Sequence, residues 1–287
     1  MSQPSEYLQP AITTVAIVGV GLIGGSIAAA LKDRQPAVRV LGVGRDARRL
    51  EVARSRGLLD EAFVDLTAAA HMADVVVFCT PVDRIVAGVR EAATACRPGA
   101  LLTDAGSVKR RICDAFQEAP GTGVEFVGAH PLAGSEKQGF EAADAALFEN
   151  RVCVVTPTPQ TTARAAQRVA AFWAALGARV LEMSPAAHDL ALAQTSHLPH
   201  LTAAVLAATL AAENRGLAAS GFRDATRIAA GDPNLWTAIL LQNADDVLLS
   251  LARYDQVLDQ FRAALLDRDA AALNQLLQTA KSNRDAL

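Results

Sequence analysis

Residues 13–26, TTVAIVGVGLIGGS, place a β-branched run directly before Gly19, Gly21 and Gly24 in the pattern G-x-G-x-x-G, with a helical pattern directly behind. The glycines permit a tight turn and close backbone approach, so a pyrophosphate can sit on the amino end of the helix. The bare pattern is weak. Between a first strand and a helix, with a second strand about twenty residues on, it points to a dinucleotide-binding unit, and a merely structural glycine turn is the lesser alternative. Leu22 and Ile23, inside the motif, are counted with Gly19, Gly21 and Gly24 as cofactor-contacting positions.

From residue 12 to about 182, short β-branched runs alternate with Ala- and Arg-rich helical patterns, the signature of a parallel sheet covered by helices. The runs are 13–19, 38–44, 74–80, 100–104, 124–129, 151–156 and 178–183, with the later strands open to an antiparallel arrangement at one edge. After MSPAAHD the strand-like runs stop. Ser184 and Pro185 suit N-cap and first-turn positions of a new helix, and everything to Leu287 reads as helical. The expected fold class is therefore an α/β Rossmann-type domain over residues 1–183 followed by an all-α domain over 184–287. The Ala-rich stretch LTAAVLAATLAAENRG lets helices approach closely, within one bundle or across a homodimer, and the two readings weigh about equally.

Length and charge narrow the partners. At 287 residues with 51% hydrophobic content the chain can bury two cores, and its net charge of -3 leaves no global footprint for nucleic acid or an anionic membrane. Cys79, Cys96, Cys113 and Cys153 form no CxxC pair and no zinc spacing with histidine, so they read as free thiols of a cytoplasmic protein without a metal site. The amino terminus lacks an export signal, and the longest apolar run, residues 201–212, is too short to cross a bilayer.

Where the second strand ends, an acidic residue normally accepts hydrogen bonds from the adenosine ribose. Gly44 stands there, followed by Arg45, with Arg48 and Arg49 one turn on. Nothing repels a 2′-phosphate, so NADP is favoured over NAD, although the arginines also fit a solvated helix face and Asp46 could serve NAD. Other strand ends carry CTP, with Thr80 and Pro81, then TDAGSVK, then AHPLAGSEKQG. Ligands bind outside the carboxyl ends of parallel strands, so these segments converge on one cleft. There Ser107 would lie at a helix amino end beside the nicotinamide, or serve simply as an N-cap.

The helical part adds TSHLPH and GFRDATRIAAGDPNLW. His197 and His200 are three apart and share a helix face, with Pro199 in a first turn or at a kink; Arg223 and Arg227 are four apart and share another. Asp232 and Pro233 would cap a further helix carrying Trp236. Paired arginines suit a carboxylate-rich ligand, yet each pair taken singly reads more readily as a surface or structural feature.

Taken in order, GVGLIGGS, TDAGSVK, HPLAGSEKQG, TSHLPH and TRIAAGDPNLW make the chain resemble the prephenate and arogenate dehydrogenases, the cyclohexadienyl dehydrogenases of tyrosine biosynthesis. The resemblance covers nearly the whole chain and implies a helical dimerisation domain behind the nucleotide-binding one. It implies that His130 takes the proton of the substrate ring hydroxyl as hydride leaves, that Ser107 holds the same hydroxyl, and that Arg227 binds a substrate carboxylate. His197, His200 and Arg223 would complete the pocket, with Ser135 and Glu136 as further substrate-binding positions. Gln138 and Gly44 depart from the family's pattern, and the chain leaves no room for a chorismate mutase or amino-acid-sensing domain. Two alternatives stand: a β-hydroxyacid or imine reductase, which would place a catalytic lysine in the helical domain, and a redox-sensing nucleotide-binding protein, which would not need Ser107 paired with His130.

Overall fold

The computed structural model describes residues 12–121, 123–134 and 137–287. Eight strands form one sheet: β1 (Thr14–Val18), β2 (Arg39–Val43), β3 (Glu61–Phe63), β4 (Val75–Phe78), β5 (Leu101–Asp104), β6 (Glu125–Pro131), β7 (Val152–Thr156) and β8 (Arg179–Glu182). Their spatial order is β3-β2-β1-β4-β5-β6-β7-β8. All neighbours are parallel except β6 and β7, so β7 and β8 run against the rest. The order turns around between β1 and β4, and the glycine-rich turn leaves β1 at that crevice, where open α/β sheets bind ligands.

Period-two alternation explains why the central strands β1 and β4 are apolar on both faces. Val15 and Ile17 of β1 join one core cluster with Val75 and Val77 of β4, while Ala16 and Val18 join the other with Val76 and Phe78. Both faces are covered. Helices α1 (Leu22–Arg34), α2 (Ala47–Ser55) and α6 (Ala163–Ala175) supply the first cluster; α3 (Leu66–Met72), α4 (Val82–Ala93) and α5 (Arg110–Asp114) supply the second. Helix α4 buries Val82, Ile85, Val89, Ala92 and Ala93, a stripe at helical spacing.

Beyond β8 come α7 (Pro185–Leu192), α8 (Leu198–Ala208), α9 (Ser220–Thr226), α10 (Pro233–Gln242), α11 (Ala244–Leu266) and α12 (Ala270–Asp285). The hydroxyl of Ser184 accepts from the amide of Ala187 with Pro185 behind it, and the Asp232 carboxylate accepts from the amide of Asn234 at the head of α10, so both expected caps are present. No helix among the described residues is long and apolar enough to cross a membrane.

Three expectations need correction. Strand β3 is short, half-buried and lacks β-branched residues, so periodicity did not reveal it. His130 does not follow its strand: β6 continues to Pro131, and His130 pairs with Val154 in the antiparallel ladder. Arg223 and Arg227 do not share one α-helix. Helix α9 ends at Thr226, whose backbone sits at φ -103 and ψ 0, and Arg227 opens a tighter turn.

Candidate active site

The three motif glycines occupy three different environments. Gly19 has φ +94, and a side chain there would press on the carbonyl oxygen of Cys79 at 2.9 Å. At Gly24 an added Cβ would stand 2.2 Å from the Gly19 carbonyl oxygen, so this position sets how closely α1 packs on the turn. Gly21 meets nothing within 4 Å, which leaves its neighbourhood open at the head of α1. That helix has no side-chain cap and no acid in its first turn. An open, uncapped helix head with half-buried Leu22 and Ile23 fits a pyrophosphate. Thr80, just beyond β4, adds a buried hydroxyl without a hydrogen-bond partner among the described residues, and exposed Pro81 caps α4.

At the end of β2, Gly44 is half-buried and Arg45 exposed. The Asp46 carboxylate accepts from the amides of Arg48 and Arg49 and so caps α2. Arg49 reaches Glu141 at 3.1 Å and lies over the Phe140 ring. Of the three arginines, Arg45 and Arg48 have no side-chain partner among the described residues.

Around His130 the structure builds a line of three groups from two regions. His130 Nδ1 lies 2.8 Å from His188 Nε2, and His188 Nδ1 lies 2.7 Å from Asp189 Oδ1. Asp189 is 1% exposed and His188 is fully buried. The carboxylate can only accept, so His188 donates from Nδ1 and its Nε2 must accept; His130 then donates from Nδ1, and its own Nε2 keeps a free lone pair. Asp189 is held in turn by the amides of Lys109 at 2.7 Å and Arg110 at 2.9 Å, at the amino end of α5. The carboxylate from α7 therefore does the capping that Ser107 was a candidate for. Ser107 stands half-buried before the helix, its hydroxyl uncommitted among the described residues.

Below this line lies a buried ion pair, Lys109 with Asp104, both fully buried. The Lys109 ammonium also donates to the carbonyl of Ala129 at 2.8 Å, and Asp104 accepts from the Ala129 amide, so the residue before His130 is clamped on both sides. Burial, followed by the neighbouring His188, Lys109 and His197, holds His130 well below the ordinary imidazole pKa. Burial lowers His188 as well, against the pull of Asp189. Burial raises Asp189, but the hydrogen bonds from His188, Arg110 and Lys109 outweigh it and leave the carboxyl below its usual range. The line is thus a neutral imidazole pair on an ionised carboxylate, suited to accepting one proton at His130 Nε2.

His197 and His200 come to the same region. His197 closes a π-helical turn, Ala193–His197, and Pro199 falls in the first turn of α8, where its missing N–H costs no helical hydrogen bond. His197 is 1% exposed, and burial brings its pKa down to about 4. His200 stacks on Trp236 with ring centroids 3.5 Å apart, and its buried Nδ1 has no partner among the described residues. Arg223 and Arg227 are exposed, without side-chain partners among the described residues. Ser135 and Glu136 lie outside the described residues.

Sequence reasoning missed His188, Asp189, Lys109, Asp104 and Asn243. MSPAAHD and TDAGSVK had marked a boundary and a strand end, and the polar pair His188-Asp189 within an Ala-rich helix was the available signal for the first two.

Residues 27–182 match the family described as "Prephenate dehydrogenase, nucleotide-binding domain", and residues 184–279 match "Prephenate dehydrogenase, dimerization domain". Among curated relatives, a prephenate dehydrogenase of Bacillus subtilis is 35% identical over 281 residues, covering 96% of this chain and 76% of the relative. A cyclohexadienyl dehydrogenase of Zymomonas mobilis is 34% identical over 280 residues, covering 95% of each. Among solved structures, the prephenate dehydrogenase of Aquifex aeolicus in complex with hydroxyphenyl propionate and NAD+ superposes with a TM-score of 0.87 at 28% identity, over 96% of this chain and 98% of that one.

Proposed function

The chain belongs to the prephenate dehydrogenase family, and we propose that its His130–His188–Asp189 line carries out the proton transfer of that family's reaction. The chain is an oxidoreductase of tyrosine biosynthesis, acting on prephenate or arogenate with NAD(P). The nicotinamide, when bound, supplies the hydride acceptor. His130 Nε2 takes the proton of the ring hydroxyl as hydride leaves the carbon that bears it. The carbon–carboxylate bond then breaks, its electron pair enters the ring, carbon dioxide departs, and the proton returns from His130 to the phenolic oxygen. Aromatisation drives the step, so the protein supplies chiefly position, a neutral base and charge recognition.

The observation that carries this reading is the free lone pair left on His130 Nε2 by the two hydrogen bonds behind it. Ser107, half-buried with an uncommitted hydroxyl, holds the substrate hydroxyl against His130, while exposed Arg223 and Arg227 receive substrate carboxylates with His197 and His200. Residues 1–183 then form the cofactor domain and 184–287 the substrate and dimerisation domain. The decisive experiment is formation of reduced nicotinamide, followed by its near-ultraviolet absorbance, with each pairing of prephenate or arogenate and NAD or NADP. Absence of turnover in all four pairings would overturn the function.

NADP is the preferred cofactor. Gly44 offers no carboxylate, the Asp46 side chain is spent on capping α2, and Arg45 and Arg48 are uncommitted beside the expected 2′-phosphate. Arg45→Ala should raise the KM for NADP by about tenfold, a charge-assisted contact of about 1.5 kcal/mol, and leave NAD nearly unchanged. Equal effects on both cofactors would refute the assignment. Two chains associate through the helical domain into a homodimer, consistent with the dimerisation-domain match and the apolar side chains exposed there, and the four free thiols suit the cytoplasm.

A further inference from the structure

We propose that Asn243 is a positioning residue that fixes His197 as a hydrogen-bond donor, protonated on Nε2, toward an acceptor oxygen of the substrate. Its amide nitrogen lies 2.8 Å from the backbone carbonyl oxygen of Asp189 and 3.0 Å from His197 Nδ1. A carbonyl oxygen has no proton to give, so the NH2 end of Asn243 must face it; the side chain cannot be turned over without setting two oxygens against each other. The same nitrogen carries a second proton, and that proton points to His197 Nδ1. The ring nitrogen there must accept. A neutral imidazole that accepts on Nδ1 carries its proton on Nε2.

The surroundings leave Asn243 little freedom to do otherwise. It is 4% exposed and sits at the break between α10 and α11, with φ -114 and ψ 28, its backbone N–H donating to the Ile239 carbonyl and its own carbonyl accepting from the Val247 amide. From that hinge it binds α7 through Asp189 and the π-helical turn through His197, so one side chain ties the carboxylate line behind His130 to the second histidine. The titratable groups that face His197 are Asp189 and His188 from α7, His200 from the next turn, and His130 from β6. Burial keeps His197 neutral at physiological pH, with a pKa of about 4. The two site histidines therefore have opposite tasks. His130 presents a lone pair and His197 presents an N–H, which gives a substrate one proton acceptor and one proton donor at defined places. This division rests on the proposed function for its substrate, but not for its tautomers.

The test is imidazole nitrogen NMR on the full chain labelled with 15N-histidine, which holds only five histidines. The His197 signals are identified as those lost in His197→Gln. At neutral pH the unmodified protein without ligands should show His197 neutral and protonated on Nε2; protonation on Nδ1, or an imidazolium, overturns the proposal. In Asn243→Asp the carboxylate can only accept, so the His197 Nδ1 signal should become protonated, and KM for the substrate should rise by a larger factor than kcat falls. An unchanged His197 tautomer in a folded Asn243→Asp protein also overturns it. Should that variant fail to fold, the spectrum of the unmodified protein decides alone. Failure of prephenate and arogenate turnover would refute the function while leaving the tautomer result intact.

Discussion

Strand β1 buries all five of its side chains, whereas α12 buries none over sixteen residues. The contrast extends to the two regions they belong to. Nearly all of the apolar core lies in the sheet region, while beyond residue 184 the buried apolar side chains are Leu192, Ala193, Ala203, Ile239, Val247 and Ala264. Against these stand buried polar ones in equal measure and one more: His188, Asp189, His197, His200, Asn243, Asp246 and Ser250. Large apolar side chains that are exposed show the reverse: among the described residues, all but Val52, Val64, Leu132 and Leu181 lie in the helical region. A sheet with both faces covered can close on its own apolar interior. The helical region instead places polar groups against the sheet region and leaves apolar groups outward, an arrangement suited to chemistry on one side and a second copy on the other.

If the helical region's inner face serves the chemistry, breaking the line behind His130 should cost nearly as much as removing His130. His130→Asn should lower kcat by about 10²–10⁴-fold while the folded variant still binds cofactor and substrate. Asp189→Asn, which can donate to His188 and so reverse its tautomer, should lower kcat by about 10²-fold or more. Turnover of folded His130→Asn within tenfold of the parent would deny the base. An effect at His130 with none at Asp189 would confine catalysis to the sheet region.

The seam between the regions should also be where the fold is sensitive to acid. His130, His188, His197 and His200 all have lowered pKa values, burial being the largest cause at each. Above the ordinary value of 6.5 these groups are neutral in both folded and unfolded chains; below it the unfolded chain binds protons that the folded chain refuses. Stability is therefore lost as pH falls below about 6.5, and by pH 4 His197 alone accounts for about 3 kcal/mol. Melting temperature against pH measures this. A flat profile from neutral pH down to the usual carboxylate range would show that the seam is wetter than the structure has it.

Within the sheet region, the glycine turn separates fold from ligand. Gly24→Ala drives a methyl into the Gly19 carbonyl and should destabilise the protein by about 1–3 kcal/mol. Gly21→Ala has open space and should leave the melting temperature almost unchanged while weakening NAD(P) binding. Equal melting temperatures for the two variants would mean that the turn is not the tight element described. The smallest effect is expected at the outer face. Replacing Leu248 and Leu249, 62% and 58% exposed, by glutamate should raise the dimer dissociation constant at least about tenfold, whereas Val64→Glu, at an equally exposed site in the sheet region, should not. Light scattering across a dilution series separates the two, and identical masses would erase the distinction between the regions.

The sequence by itself determined the Rossmann-type sheet with its helical follower, the glycine turn, the antiparallel option at one edge and the caps at Ser184 and Asp232. Each of these rests on a local rule, whether an alternation of period two, a backbone angle open to glycine, or a side chain reaching an amide two or three residues away. It also singled out His130, Ser107, His197 and His200 as polar residues in special settings. Only the tertiary structure decided what stands behind them. His188 is 58 residues from His130, and Asn243 is 46 from His197, so no periodicity connects either pair. Nor could the chain announce that Lys109, a residue type normally solvated, would be fully buried against Asp104 beneath the histidine line. Hydrogen-bond partners of buried polar groups are supplied by whichever element the fold brings within about 3 Å, and that choice is made by packing over the whole molecule rather than by any stretch of sequence.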